Sequence, residues 1–137
     1  MALKIFVNLA VKDLEKSKDF YTKIGYSINP QFTDHTAACV VLSEDIYVML
    51  LTEKKFQEFS SKKLINAHES VEVLNALALE SIAQVNDMVG KAVQAGGNEK
   101  REPMDLGFMY QRSFDDPDGH TWEVFWMNPE AVVEPGE

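Results

Sequence analysis

The sequence is short of the features that would cross-link it, anchor it or draw it to a polyanion. It holds one cysteine, Cys39, in 137 residues, so no disulfide can close within the chain. Cys39 lies in the apolar run Ala37–Leu42, with nothing basic beside it to favour a thiolate. It reads as a small buried residue and not as a nucleophile. Cations are scarce, with 13 Lys and Arg against 22 Asp and Glu and a formal net charge of −9. Nucleic acid and anionic membrane are therefore excluded as partners, because both are recognised by basic patches. Such a charge serves solubility or a preference for cationic ligands. No apolar run approaches the roughly 20 residues that span a bilayer. Met1–Phe6 passes straight into a strand, without the length of a signal peptide. The expected location is cytoplasmic, where an unpaired thiol is the norm.

What is present is an ordinary globular composition, 45% hydrophobic and 26% charged. It is arranged as the same layout twice. Ile5–Val11 reads as a strand. Asp13 then caps a helix from Leu14 to about Ile24, with Glu15 in the first turn and Gly25 as the terminating residue. Three strands follow: Tyr26–Thr33, weakened by Pro30, then His35–Leu42 and Ile46–Thr52. Glu53–Ala67 is polar, with isolated apolar marks, and reads as a short helix and linker. In the second copy Ser70–Leu79 is the strand and Ser81 caps the helix, with Gln84 completing a capping-box pattern. Gly96-Gly97 ends that helix. Gly90 inside it implies close packing, because glycine costs about 1 kcal/mol relative to alanine there. Asn98–Asp105, Phe108–Phe114 and Thr121–Met127 are the last strands, with Asp116-Pro117-Asp118-Gly119 as a turn before the final one. Each half reads β-α-β-β-β. The first spans residues 4–53, the linker 54–69 and the second half 70–127, all in one domain, with a frayed tail over 128–137. The fold class is α+β, with the curved sheets of two tandem modules wrapping a central hollow.

Glu123 is an acid on a strand that is otherwise apolar. Trp122, Val124 and Trp126 alternate with Thr121, Glu123 and Phe125. The aromatic set belongs against the helix, so Glu123 turns to the hollow. If Ser113 lies opposite Glu123, Gln111 and Ser113 face the hollow as well. A register shifted by one residue would instead bring in Tyr110 and Arg112, pairing Arg112 with Glu123.

Three segments carry a family resemblance: Val11-Lys12-Asp13-Leu14-Glu15-Lys16-Ser17-Lys18-Asp19-Phe20-Tyr21 with Gly25-Tyr26, the helix ending in Ala95-Gly96-Gly97, and Phe114-Asp115-Asp116-Pro117-Asp118-Gly119-His120-Thr121-Trp122-Glu123. In this order, on a duplicated layout, the chain resembles the vicinal oxygen chelate superfamily of glyoxalase I, extradiol dioxygenases, fosfomycin-resistance enzymes and bleomycin-binding proteins. The resemblance runs from about Lys4 to Met127 and favours the register that turns Ser113 and Gln111 inward. It also implies a homodimer, in which Phe56 and Phe59 are buried at an interface or else cap the monomer core. It leaves open whether the halves close within one chain or across two.

Metal-dependent members place ligands on the first and last strand of each half. Carried onto this chain, those positions fall at Phe6, Leu50, Leu74 and Glu123. Only Glu123 is of ligand type, and phenylalanine and leucine offer no lone pair to a divalent cation. His35, His68 and His120 show no metal-motif spacing. The expectation is a pocket without metal or other cofactor. It is formed by Asn8, Gln111, Ser113 and Glu123 and walled by Phe6, Val48, Leu50, Leu74 and Phe125, a mostly apolar lining with few polar groups. It would bind a small organic molecule, with Glu123 receiving a cation. Alternatives are a metal-dependent lyase or dioxygenase with non-standard ligands, and a metal-free isomerase or lyase with Glu123 as base. Two others are an acid merely held by Asn8, Gln111 or Arg112, and a structural module with a vestigial pocket.

Overall fold

A computed structural model describes residues 3–131. The first half contains β1 (Ile5–Val11), α1 (Leu14–Lys23), β2 (Ser27–Asn29), β3 (Ala37–Val41) and β4 (Ile46–Thr52). A one-turn helix, α2 (Glu53–Phe56), opens the linker. The second half contains β5 (Asn75–Ala78), α3 (Ile82–Gln94), β6 (Met104–Asp105), β7 (Met109–Asp115) and β8 (Thr121–Met127). The strands form two four-stranded mixed sheets, ordered β1-β4-β3-β2 and β5-β8-β7-β6. In each the first strand runs parallel to the last, and the remaining pairs are antiparallel.

The helices begin and end where their punctuation requires. Asp13 accepts a hydrogen bond from Lys16 N, and Gly25 leaves α1 at φ 115°, a conformation that costs only glycine nothing. Ser81 accepts from Gln84 N, and Gly96 leaves α3 at φ 107°. The Gln84 amide reaches back to Glu80 N, one residue before the cap, and not to Ser81. Gly90 has no heavy atom within 4 Å of the position a Cβ would take, so the close packing expected of it is absent.

Several strands are shorter than expected, each for a local reason. β5 begins only at Asn75, since its partner β8 begins at Thr121 and offers no ladder to Ser70–Val73. Pro30 starts a 3-10 turn and ends β2. Asp34 Oδ1 takes the amides of Thr36 and Ala37, which delays β3. Between the Asn98–Asp115 bridge and the Met104–Gln111 pair, one chain takes six steps and β7 takes four. The intervening segment, with Pro103, bulges off the sheet. Of the tail expected to fray, Pro129–Ala131 form a 3-10 turn, and Asn128 N donates to Phe108 O at 2.7 Å. Residues 132–137 lie outside the described residues.

One core lies between the helices and the sheets. It joins Leu9, Val11, Val40, Val48 and Leu50 of the first half to Phe114, Trp122 and Val124 of the second, beneath Phe20, Tyr21, Val85 and Val89. The halves meet along a polar seam made by the turn before β8. Tyr21 Oη donates to Asp116 Oδ2 at 2.7 Å, and Trp122 Nε1 donates to Tyr21 Oη at 3.0 Å. Asp118 receives Lys12 N at 2.9 Å and Ser17 Oγ at 3.1 Å. His120 Nε2 donates to Ala10 O at 2.7 Å, on the open edge of β1. The side chains of Asp116, Asp118 and His120, in the turn and just after it, thus hold the first half. Among the described residues no helix is long and apolar enough to cross a membrane.

Candidate functional site

The register around Glu123 follows from β7 and β8. Ser113 lies opposite Glu123, and Gln111 opposite Phe125. Side chains of paired residues share a face, so Gln111, Ser113, Glu123 and Phe125 lie on the sheet face away from α3. The other face is settled by contacts. Arg112 Nε and Nη2 hold both oxygens of Glu99 at 2.8 and 2.7 Å, and Arg112 Nη1 and Tyr110 Oη both donate to Asn86 of α3. Arg112 therefore pairs with Glu99, away from Glu123. Its guanidinium holds the Glu99 carboxyl below the usual carboxylate range.

Glu123 is half-buried, and its Oε2 accepts a hydrogen bond from Gln111 Nε2. Its Oε1 accepts no protein hydrogen bond among the described residues. Both side chains line a cavity of about 270 Å³ together with Ser113, Leu74, Val71 and Met104 and the charged run Lys100, Arg101 and Glu102. Lys100 is partly engaged, at 3.4 Å from Asp115. This arrangement can accept one hydrogen bond or a positive charge at the free carboxylate oxygen, while the amide fixes the other oxygen.

The remaining expected site residues do not converge there. Asn8 donates to Phe6 O and lines a separate, larger cavity of about 540 Å³. Phe6 is 49% exposed and stacks on Tyr47, with ring centroids 4.6 Å apart. Phe125 shares Glu123's face but lines neither cavity. Val48 and Leu50 are corrections, since both have no exposed surface and belong to the core beneath α1. β1 and β4 pair Phe6 with Tyr47, Asn8 with Met49 and Leu9 with Leu50. The residues of β4 sharing Phe6's face are therefore Tyr47, Met49 and Leu51. On β5 the residue opposite Glu123 is Ala76, and Leu74 precedes the strand.

The four strand positions that could hold a metal thus offer one carboxylate. Among the described residues no three His, Cys, Asp or Glu side chains converge to hold an ion. The residues present do not fit the divalent metal of the metal-dependent relatives.

The linker, legible in the sequence as a short helix and polar stretch, walls the larger cavity. It is pinned by the turn before β8. A Cβ on Gly119, at φ 89°, would lie 2.7 Å from His68 N and 2.8 Å from Ala67 C. The sequence signal was the glycine of that turn, but its contact is with residues some fifty positions earlier.

Residues 5–43 match the family model described as bleomycin resistance protein-like N-terminal. Hypothetical protein SA1046 from S. aureus is 33% identical over 92% of this chain and 95% of its own, with a TM-score of 0.77. A glyoxalase/bleomycin resistance protein/dioxygenase family enzyme from Burkholderia phytofirmans PsJN shares the fold at 15% identity and TM-score 0.75, covering 92% of this chain and 99% of its own. The chain belongs to the vicinal oxygen chelate superfamily. A glyoxalase-related enzyme from Fulvimarina pelagi shares the superfamily fold at 20% identity and TM-score 0.77, over 98% of this chain and 94% of its own. No curated protein matches the chain. The superfamily accounts for the tandem modules and leaves the chemistry to the site.

Proposed function

We propose that this member of the superfamily binds a small organic molecule in the Glu123 cavity without a metal, the ligand donating a cationic or N–H group to Glu123. The observation that carries this reading is the Glu123–Gln111 pair, in which the amide steadies one carboxylate oxygen and leaves the other to a ligand. A carboxylate in a concave, partly apolar setting favours a cation that brings its own apolar body. The same free oxygen supports a second reading, a metal-free isomerase or lyase with Glu123 as general base.

A homodimer in the cytoplasm is the setting we infer. Val71, Val73, Leu74, Met104, Leu106 and Phe108 are between 44% and 66% exposed and lie around the second sheet and linker. An apolar surface of this kind favours a partner. The lone buried Cys39 suits a reducing compartment.

The test is elemental analysis of the purified protein after divalent metals are added and dialysed away, followed by calorimetric titration with aryl amines such as benzylamine. No retained metal and a saturable amine isotherm, weakened about tenfold in Glu123→Gln, are expected. Near-stoichiometric retained metal, or amine binding indifferent to Glu123→Gln, overturns the proposal.

A further inference from the structure

The larger cavity does not contain Glu123. It lies between the open edge of β1, the linker and the turn before β8, and touches the Glu123 cavity only through Val71 and Thr121. The two differ in their cations: Lys100 and Arg112 of the Glu123 cavity are held in ion pairs, whereas the lysines of the larger cavity are in none among the described residues.

Lys12, Lys62 and Lys63 line it. Seven cations of the chain form ion pairs among the described residues, and none of these three is among them. Three carboxylates also lie on its wall, but Asp118 already has both oxygens engaged, by Lys12 N and Ser17 Oγ. Glu53 and Glu72 are left against three lysines, in a chain of net charge −9. With Asp118 committed, three lysines unpaired among the described residues face two carboxylates in the larger of the two cavities.

The edge of β1 adds neutral donors. Ile5 N bonds to Asp45 O on the β4 side, whereas Ala10 O turns the other way to meet His120. Backbone groups alternate in direction along a strand, so the N–H groups of Asn8 and Ala10 point outward from β1, and both residues line the cavity. Outward N–H groups on an unpaired edge seek acceptors. Leu64 and Ile65 supply apolar wall beside them.

From these observations we infer that the larger cavity is a second ligand site, taking an organic anion: a carboxylate on an apolar or aromatic body. The carboxylate meets Lys62 and Lys63 and the edge amides of β1, and the body lies along the linker. This site is independent of the Glu123 reading and persists if that reading fails.

The experiment is a fluorescence titration of the full chain with dansylglycine and with its neutral analogue dansylglycinamide. Saturable binding of the acid is expected, with the amide about tenfold weaker. The double variant Lys62→Gln/Lys63→Gln should erase that preference, and rising salt should weaken the acid alone. Both lysines are exposed, and thermal unfolding followed by circular dichroism checks that the variant is folded. Glu123→Gln should leave acid binding unchanged. Absence of saturable binding overturns the inference, as does equal affinity for acid and amide or indifference to the lysine substitutions. So does loss of acid binding in Glu123→Gln, which would place the probe in the other cavity.

Discussion

Tyr21, on the helix of the first half, donates its hydroxyl to Asp116 of the second half across 2.7 Å, and the same oxygen accepts the indole N–H of Trp122. Tyr21 and Asp116 are 1% and 3% exposed. Tyr21→Phe removes the acceptor of one buried donor and a donor to one buried carboxylate together. It should lower the unfolding free energy by about 1–3 kcal/mol, read as a reduced urea midpoint at unchanged slope.

Two carboxyls should tilt stability with pH in opposite directions. Burial pushes Asp116 above its ordinary 3.8, against the pull of His120 and of the Tyr21 hydroxyl. The folded chain then keeps this proton to higher pH than the unfolded chain, so the Asp116 contribution falls as pH rises above 3.8 and levels off past the folded value. Arg112 holds Glu99 below its ordinary 4.5. That contribution is present above 4.5 and is lost as pH falls through the lower folded value. Urea midpoints taken across the acid range should show a flatter acid limb in Glu99→Gln. The decline above 3.8 should be missing in Asp116→Asn.

Leu50→Ala and Leu74→Ala separate core from cavity wall. Leu50 has no exposed surface, whereas Leu74 is 53% exposed. Truncating the first should cost about 2–5 kcal/mol and the second within about 0.5 kcal/mol, both measured by urea unfolding. Equal costs would contradict the facing of β4 described above.

These two leucines also mark what was legible beforehand. On β8 the apolar set Trp122, Val124 and Trp126 alternates cleanly, and the inward facing of Glu123 follows from it. On β4, Ile46-Tyr47-Val48-Met49-Leu50-Leu51 is apolar on both faces. Alternation there carries no signal, so the core facing of Val48 and Leu50 is visible only in the structure. The elements themselves were visible because caps and glycines act locally: Asp13 and Gly25 set the bounds of α1 without help from the rest of the chain. The larger cavity was not visible, because it exists only once the linker docks on the turn, a contact between segments remote in sequence.

The docking is testable at Gly119. Alanine there meets His68 N and Ala67 C at less than 3 Å and must hold φ 89°. Gly119→Ala should destabilise the chain by about 1–3 kcal/mol and speed proteolytic cleavage of the linker. Gly90→Ala is the counterpart. Its Cβ meets nothing within 4 Å, and it should stabilise the fold by about 1 kcal/mol.

The parallel pairing of first with last strand in each half has a wider meaning. β1 closes on β4 and β5 on β8, so neither sheet borrows a strand from the other. Each half is a transferable unit, joined to its twin by one covalent tether, the linker. Two chains could trade halves with every ladder of both sheets intact. What they would have to rebuild against the neighbour's copy is the shared core and, atom for atom, the junction of Tyr21, Asp116, Asp118 and His120. The junction, more than either sheet, therefore decides whether a half stays with its own chain.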